Sequence, residues 1–176
     1  MQATKVVTGK VRFSYLHVFE PVAISEGGDL KYSVSLLIPK KDKITIAKIN
    51  KAIEAAKEAG KGKWGGKIPA KLKLPLRDGD EERPDDEAYA DCYFLNASAK
   101  TKPGVVDAGL NAIIRQDEVY SGCFGKASVN FYAFDVNGNK GIACGLNNIM
   151  KLEDGPSLGG RSSAEEDFGE QEEADY

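Results

Sequence analysis

Residues 123–149 read CFGKASVNFYAFDVNGNKGIACGLNNI, and this stretch decides the fold. Over 123–136, Gly125, Ala127, Val129, Phe131 and Ala133 take one face. Phe124, Lys126, Ser128, Asn130, Tyr132 and Phe134 take the other. A period of two with one apolar side predicts a strand lying on a core. Asn137-Gly138 is the dipeptide favoured in two-residue hairpin turns, and residues 141–149 are expected to return as the partner strand.

Working outward, residues 5–15 predict another strand, with Val7, Gly9, Val11, Phe13 and Tyr15 in phase. A glycine inside a strand marks a bulge or sharp bend, as a strongly coiled small barrel requires. After Gly27-Gly28-Asp29, residues 30–38 predict a strand with Tyr32, Val34, Leu36 and Ile38 in register, ended by Pro39. Asp42 then caps a helix that runs to residue 59. Ile46, Ile49, Ile53 and Ala56 form its stripe, and Gly60 is its stop. Residues 60–88 read as irregular, with strands expected at 89–100 and 113–120. The sum is mainly β: an OB-type Greek-key β-barrel with one inserted amphipathic helix.

Charge divides the chain. Residues 1–152 hold 23 Lys and Arg against 18 Asp and Glu, whereas 153–176 hold only Arg161 against nine carboxylates, so +5 and −8 make up the net −3. A basic body with an acidic appendage points toward nucleic acid. The expected organisation is a folded domain over 1–152 and an acidic, disordered tail over 153–176. Cys92, Cys123 and Cys144 lack CxxC spacing and are expected to be buried thiols. With His17 the single histidine, a Cys/His zinc site or a Ser/His/Asp triad has almost nothing to draw on. No cofactor is expected. Gly60, Gly62 and Gly65 match GxGxxG in letters but follow a helix, the wrong context for a dinucleotide. With no apolar run long enough to span a bilayer and no secretory core at the N-terminus, a cytoplasmic setting is expected.

Several segments together resemble the phage-encoded single-stranded DNA-binding proteins. They are Gly9-Lys-Val-Arg-Phe-Ser-Tyr15, Phe94-Leu-Asn-Ala-Ser98, Lys102-Pro-Gly-Val-Val-Asp107, Val119-Tyr-Ser-Gly122, the 141–149 return, and Glu153-Asp-Gly-Pro-Ser-Leu-Gly-Gly160. The resemblance implies an OB fold that coats displaced strands in replication or recombination, without enzymatic activity. It also implies an acidic tail that recruits phage or host replication and recombination proteins. Tails of this kind often end in Phe; this one ends Ala174-Asp175-Tyr176, and Phe168, Asp175 and Tyr176 are the candidate partner-binding residues.

Sequence-tolerant binding of a single strand needs cations along the phosphates and aromatic faces for the bases. Lys61, Lys63, Trp64 and Lys67, continued by Lys71 and Lys73, form a basic glycine-rich stretch around the single tryptophan. Arg12 is the candidate from the first strand. Lys100 and Lys102 flank Thr101 at a strand end, where a loop would close over DNA. Tyr93-Phe94 sends one ring inward and one outward, and Tyr93 joins the candidates. On the long strand Lys126, Tyr132 and Phe134 share a face suited to stacking. For each aromatic, packing in the core is the alternative. The run Asp78-Gly-Asp-Glu-Glu-Arg-Pro-Asp-Asp-Glu87 carries seven carboxylates. It reads as a flexible acidic loop, or, in the rival enzymatic reading, as the metal ligands of a nuclease.

Overall fold

The computed structural model describes residues 3–23 and 27–158; Phe168, Asp175, Tyr176 and the rest of the tail beyond 158 lie outside the described residues. The elements are β1 (Lys5–Val7), β2 (Val11–Ala23), β3 (Leu30–Pro39), α1 (Lys43–Ala59), β4 (Leu76–Asp78), α2 (Gly79–Glu82), β5 (Cys92–Ala99), β6 (Gly104–Val106), β7 (Phe124–Val136) and β8 (Asn139–Glu153). Strands pair in the order β1-β7-β2-β3-β5-β8-β6, and β7 also pairs with β8, so β2, β3, β5, β8 and β7 close into a ring. β1 and β2 are one strand interrupted at Thr8-Gly9-Lys10, since both lie antiparallel to β7. Counted that way the ring runs first, second, third, fifth, fourth, with the third and fifth strands parallel. This is the five-stranded OB barrel, as the sequence predicts.

The core follows the alternation. Val34, Leu36 and Ile38 of β3, Leu95 and Ala97 of β5, Ala127, Val129 and Phe131 of β7, and Ile142, Cys144 and Leu146 of β8 are buried together. Asn137 and Gly138 take φ of 52° and 82°, the left-handed pair that a tight β7–β8 turn requires. α1 adds Ile49, Ala52, Ile53 and Ala56 to the same core, against β7. Its N-terminus is capped as expected, Asp42 Oδ1 accepting from Thr45 N at 3.1 Å. The bend at Gly9 admits this cap: a Cβ there would lie 2.9 Å from Asp42 Oδ2, and Gly9 N donates to Thr45 Oγ1 at 2.9 Å. All three cysteines are free thiols; Cys123 and Cys144 are buried and Cys92 half-buried.

Three expectations are corrected. First, the face assigned to residues 5–15 does not persist. The break at Gly9 shifts the phase, so Val6 is buried and Val7 exposed, and a bulge after Ser14 turns Tyr15 outward. Second, 113–120 forms no strand. The Asp107 carboxylate accepts from Gly109 N and Asn111 N, folding 107–113 back so that Val106 pairs with Ala112 and Ile113 N bonds Val105 O. Only Ile113 of the expected strand is taken up by this small hairpin, and Gln116–Glu118 is a single 3-10 turn.

Third, the acidic run is a folded strap. Asp78 caps α2, Asp86 caps the turn at Glu87–Tyr89, and Lys40 Nζ lies 2.8 Å from carboxylate oxygens of both Asp78 and Asp80. The Lys40 hydrogen bonds hold both carboxyls below the usual range. The strap lays Tyr89 over the outer face of β3 and β5, where it packs with Leu37 and Phe94, edge-to-face on Phe94 at 5.2 Å. Among the described residues no group of three or more His, Cys, Asp or Glu is arranged to hold a metal.

Candidate nucleic-acid interface

Outward residues of a barrel strand alternate with core residues, so register alone aligns them across neighbouring strands. Five register pairs make one lateral row: His17↔Ser33, Ser33↔Ser98, Ser98↔Gly145, Gly145↔Asn130 and Asn130↔Lys5. Each alternates with a buried neighbour, Val18, Val34, Ala97, Leu146, Val129 and Val6 in turn. Its residues are polar or glycine; it crosses β2, β3, β5, β8, β7 and β1 and follows the curved outer surface of the barrel for about 24 Å at strand spacing. Ser33 and Ser98 place it across the second and third barrel strands, the pair whose face OB folds use for oligonucleotides.

At one end stands Tyr15, 54% exposed at φ +46°. A bulky residue in the left-handed region is a true outlier, held only where its surroundings over-determine it. The surroundings here are the β2 bulge and Arg83, whose guanidinium lies 5.6 Å from the Tyr15 ring, 5.2 Å from Tyr89 and 5.8 Å from Phe94. Tyr15, His17, Ser33, Ser35, Arg83 and Asn96 line a cavity of about 400 Å³. The strap supports its floor, with the Tyr89 hydroxyl 3.3 Å from Ser14 Oγ and 3.2 Å from Ser35 Oγ. At the other end a groove of about 970 Å³ runs between Lys5 and Lys102 over Asn130, Asn147 and Asn148. Tyr132, 44% exposed, stands beside the row, its Cε1 3.5 Å from where a Cβ of Gly145 would be. The arrangement offers cations at both ends, two accessible tyrosine rings and amide groups between them, the means of holding a strand by phosphate and base face.

The sequence-derived candidates divide around this row. Lys102 and Tyr132 border it, and Lys100 follows β5, with Nζ 3.5 Å from Asp29 Oδ2 and both side chains largely exposed. Lys126 lies two pairs beyond Asn130 on the same outer face of β7. Trp64 is moved into the core: it is 7% exposed and Nε1 donates to Phe134 O at 3.1 Å, so the indole has no free face. Lys63 Nζ donates to Ala133 O at 2.9 Å, tying the segment to β7, and Lys61 pairs with Glu58 at the end of α1 at 2.7 Å. Lys67 is exposed on the loop beyond, outside the cavities that border the row. Phe134 lies against Gly141, and Tyr93, in the phase of Leu95, is covered by Lys40 at 5.2 Å.

Arg12 is engaged with the chain itself. Nε donates to Gly122 O at 3.0 Å and a terminal nitrogen to Pro156 O at 2.7 Å. These bonds help bring residues 154–158 back onto the barrel, where Leu158 N donates to Ser121 O at 2.8 Å and Leu158 packs with Leu37, Tyr89 and Phe94. Leu158 also lines a cavity shared with Ser14, Tyr15 and His17. Sequence reasoning missed Arg83, which sits in an acidic run, and the Ser33–Ser98–Gly145 floor, which no single segment discloses.

Among solved structures, the single-stranded DNA-binding protein of bacteriophage Enc34 in complex with ssDNA superposes with a TM-score of 0.79, at 27% identity and 90% and 91% coverage of the two chains. Protein gp2.5 of bacteriophage T7, also a single-stranded DNA-binding protein, shares the fold at TM-score 0.61 and 17% identity, over 98% of this chain and 97% of its own. The p50 protein of Acyrthosiphon pisum secondary endosymbiont phage 1 is 35% identical over 92% of this chain and 91% of its own. The family model described as the ssDNA-binding protein of Enterobacter phage Enc34 matches residues 4–176, both the barrel that carries the row and the acidic tail that follows it. On that match the chain belongs to the Enc34 family of phage single-stranded DNA-binding proteins.

Proposed function

We propose that this protein coats single-stranded DNA without reading its sequence, the strand lying along the lateral row from Tyr15 and Arg83 to Lys5 and Lys102. Membership of the family gives the ligand class. The observation that supports the path is the unbroken row of six outward residues, polar or glycine on every strand it crosses. Phosphates are met by Lys5, Lys100, Lys102 and Arg83, and bases stack on Tyr15 and Tyr132. Stacking tolerates base identity, and among the described residues no helix borders the row, so specificity is low. Coating of displaced strands in phage replication or recombination, with no catalysis by the protein itself, is the setting this chemistry suits. Fluorescence titration with oligo-dT tests it. With about four phosphates neutralised, log K falls with log salt at a slope near about −3. Affinity that does not change with salt contradicts the reading. Oligo-dC is expected to bind within about tenfold of oligo-dT.

The tail, residues 159–176, acts as a tethered competitor in this proposal. It starts at Leu158, beside the Tyr15–His17 end of the row, and carries seven carboxylates against Arg161. At an effective concentration of about 1 mM, a weak intramolecular contact lowers apparent DNA affinity about tenfold. A strand long enough to fill the row displaces the tail and frees Phe168, Asp175 and Tyr176 for replication or recombination partners. Deleting 159–176 is expected to tighten binding to short single strands at low salt. The gain shrinks as salt rises, because screening weakens the tail's attraction. Unchanged affinity at low salt would leave the tail with recruitment alone.

A further inference from the structure

Beyond Asn130, the outer face of β7 continues through Ser128 to Lys126, and β1 through Val7. There Asn148, which borders the Lys5–Lys102 groove, also borders an apolar cavity of about 290 Å³ walled by Val7, Val106, Met150 and Leu110. Leu110 stands at the tip of the small hairpin whose arms pair at Val106 and Ala112. It is 71% exposed at φ +67°. That conformation is costly for leucine and is enforced from below: Leu110 N donates to Asp107 O at 3.0 Å, while Asp107 Oδ1 accepts from Gly109 N at 2.9 Å and Asn111 N at 3.0 Å. The hairpin thus holds an apolar side chain rigidly in solvent, at the mouth of an apolar cavity, where the strand path ends.

Apolar side chains so presented are the wedges that enter between base steps and unstack them. The geometry points to Leu110 as a strand-separating wedge, giving the protein an activity at junctions of single-stranded and duplex DNA. The strand held on the row is fed past Asn148, Leu110 enters between the last paired bases, and the cavity behind it receives the unstacked base. No covalent step and no co-reactant is involved; binding of the released strand supplies the free energy. The inference rests on the strand path proposed above.

The experiment uses the full chain and a forked DNA, labelled at the junction with a donor and quencher, beside unpaired oligo-dT. Leu110→Asn suits the left-handed backbone and leaves the hairpin intact. It is expected to bind oligo-dT like the native chain but to open the fork about tenfold less well, one unstacked step's share of the driving force. Ile114→Ser removes an 87% exposed side chain of the same loop that does not border the cavity, and is expected to open the fork normally. Equal fork opening by Leu110→Asn and the native chain overturns the wedge. Equal losses in Leu110→Asn and Ile114→Ser, or a change in oligomeric state on sedimentation, overturn it in favour of a protein-docking face. If Leu110→Asn loses oligo-dT affinity in proportion, Leu110 is an ordinary strand contact and the wedge fails. Loss of fork opening with no oligo-dT binding by the native chain would instead sink the strand path.

Discussion

Replacing Tyr15 with alanine is expected to weaken oligo-dT binding about 5- to 150-fold while leaving the melting temperature close to that of the native chain. The binding loss corresponds to the about 1–3 kcal/mol that one stacked base contributes. Stability changes little because the ring is 54% exposed and its partner in the fold is the Arg83 guanidinium at 5.6 Å, an exposed cation–π contact of about 1 kcal/mol. The positive φ, unfavourable for tyrosine, is equally unfavourable for alanine, so backbone strain does not confound the comparison. Phenylalanine at the same position keeps the ring and is expected to keep most of the affinity. If alanine costs stability and no affinity, Tyr15 braces the strap and takes no base.

Trp64→Ala is expected to give the opposite pattern. The side chain is buried among core residues and its Nε1 satisfies the Phe134 carbonyl, so truncation leaves a cavity and an unpaired acceptor. Loss of about 3–5 kcal/mol follows for a buried aromatic. For a domain of this size that lowers the melting temperature by about 10 °C, read directly by calorimetry. Below the transition, affinity for oligo-dT is expected to hold within about twofold, as for a site not in contact with the strand. A selective loss of affinity with unchanged melting would return the 60–73 segment to the interface.

These two residues also mark where the sequence could be read and where it could not. The barrel was legible because its signals are local: the alternation over 124–136, the Asn137-Gly138 turn and the Asp42 cap each lie within a few neighbouring residues. Of the residues bordering the proposed path, Lys102 and Tyr132 were already candidates in the sequence. Trp64 sits in a run of lysines and glycines that suggests a solvated loop. Its burial depends on Ala133 and Phe134, 70 residues away, whose carbonyls take the Lys63 and Trp64 donors. Tyr15 falls in phase with Phe13, and only the bulge in β2 turns it to solvent. Arg83 is one cation among seven carboxylates, and several of those are occupied as helix caps and partners of Lys40. The floor of the site is a property of register: Ser33, Ser98, Gly145 and Asn130 are ordinary residues until pairing lines them up across four strands.

The path of the strand is the centre of the account, and amide chemical-shift mapping during titration with oligo-dT tests it most directly. The predicted perturbations cluster at Tyr15 and His17, Ser33, Ser98 to Lys102, Asn130 to Tyr132, and Gly145 to Asn148, on five different strands and all on the outer surface of the barrel. Perturbations confined to residues 60–73, with the row silent, would contradict it.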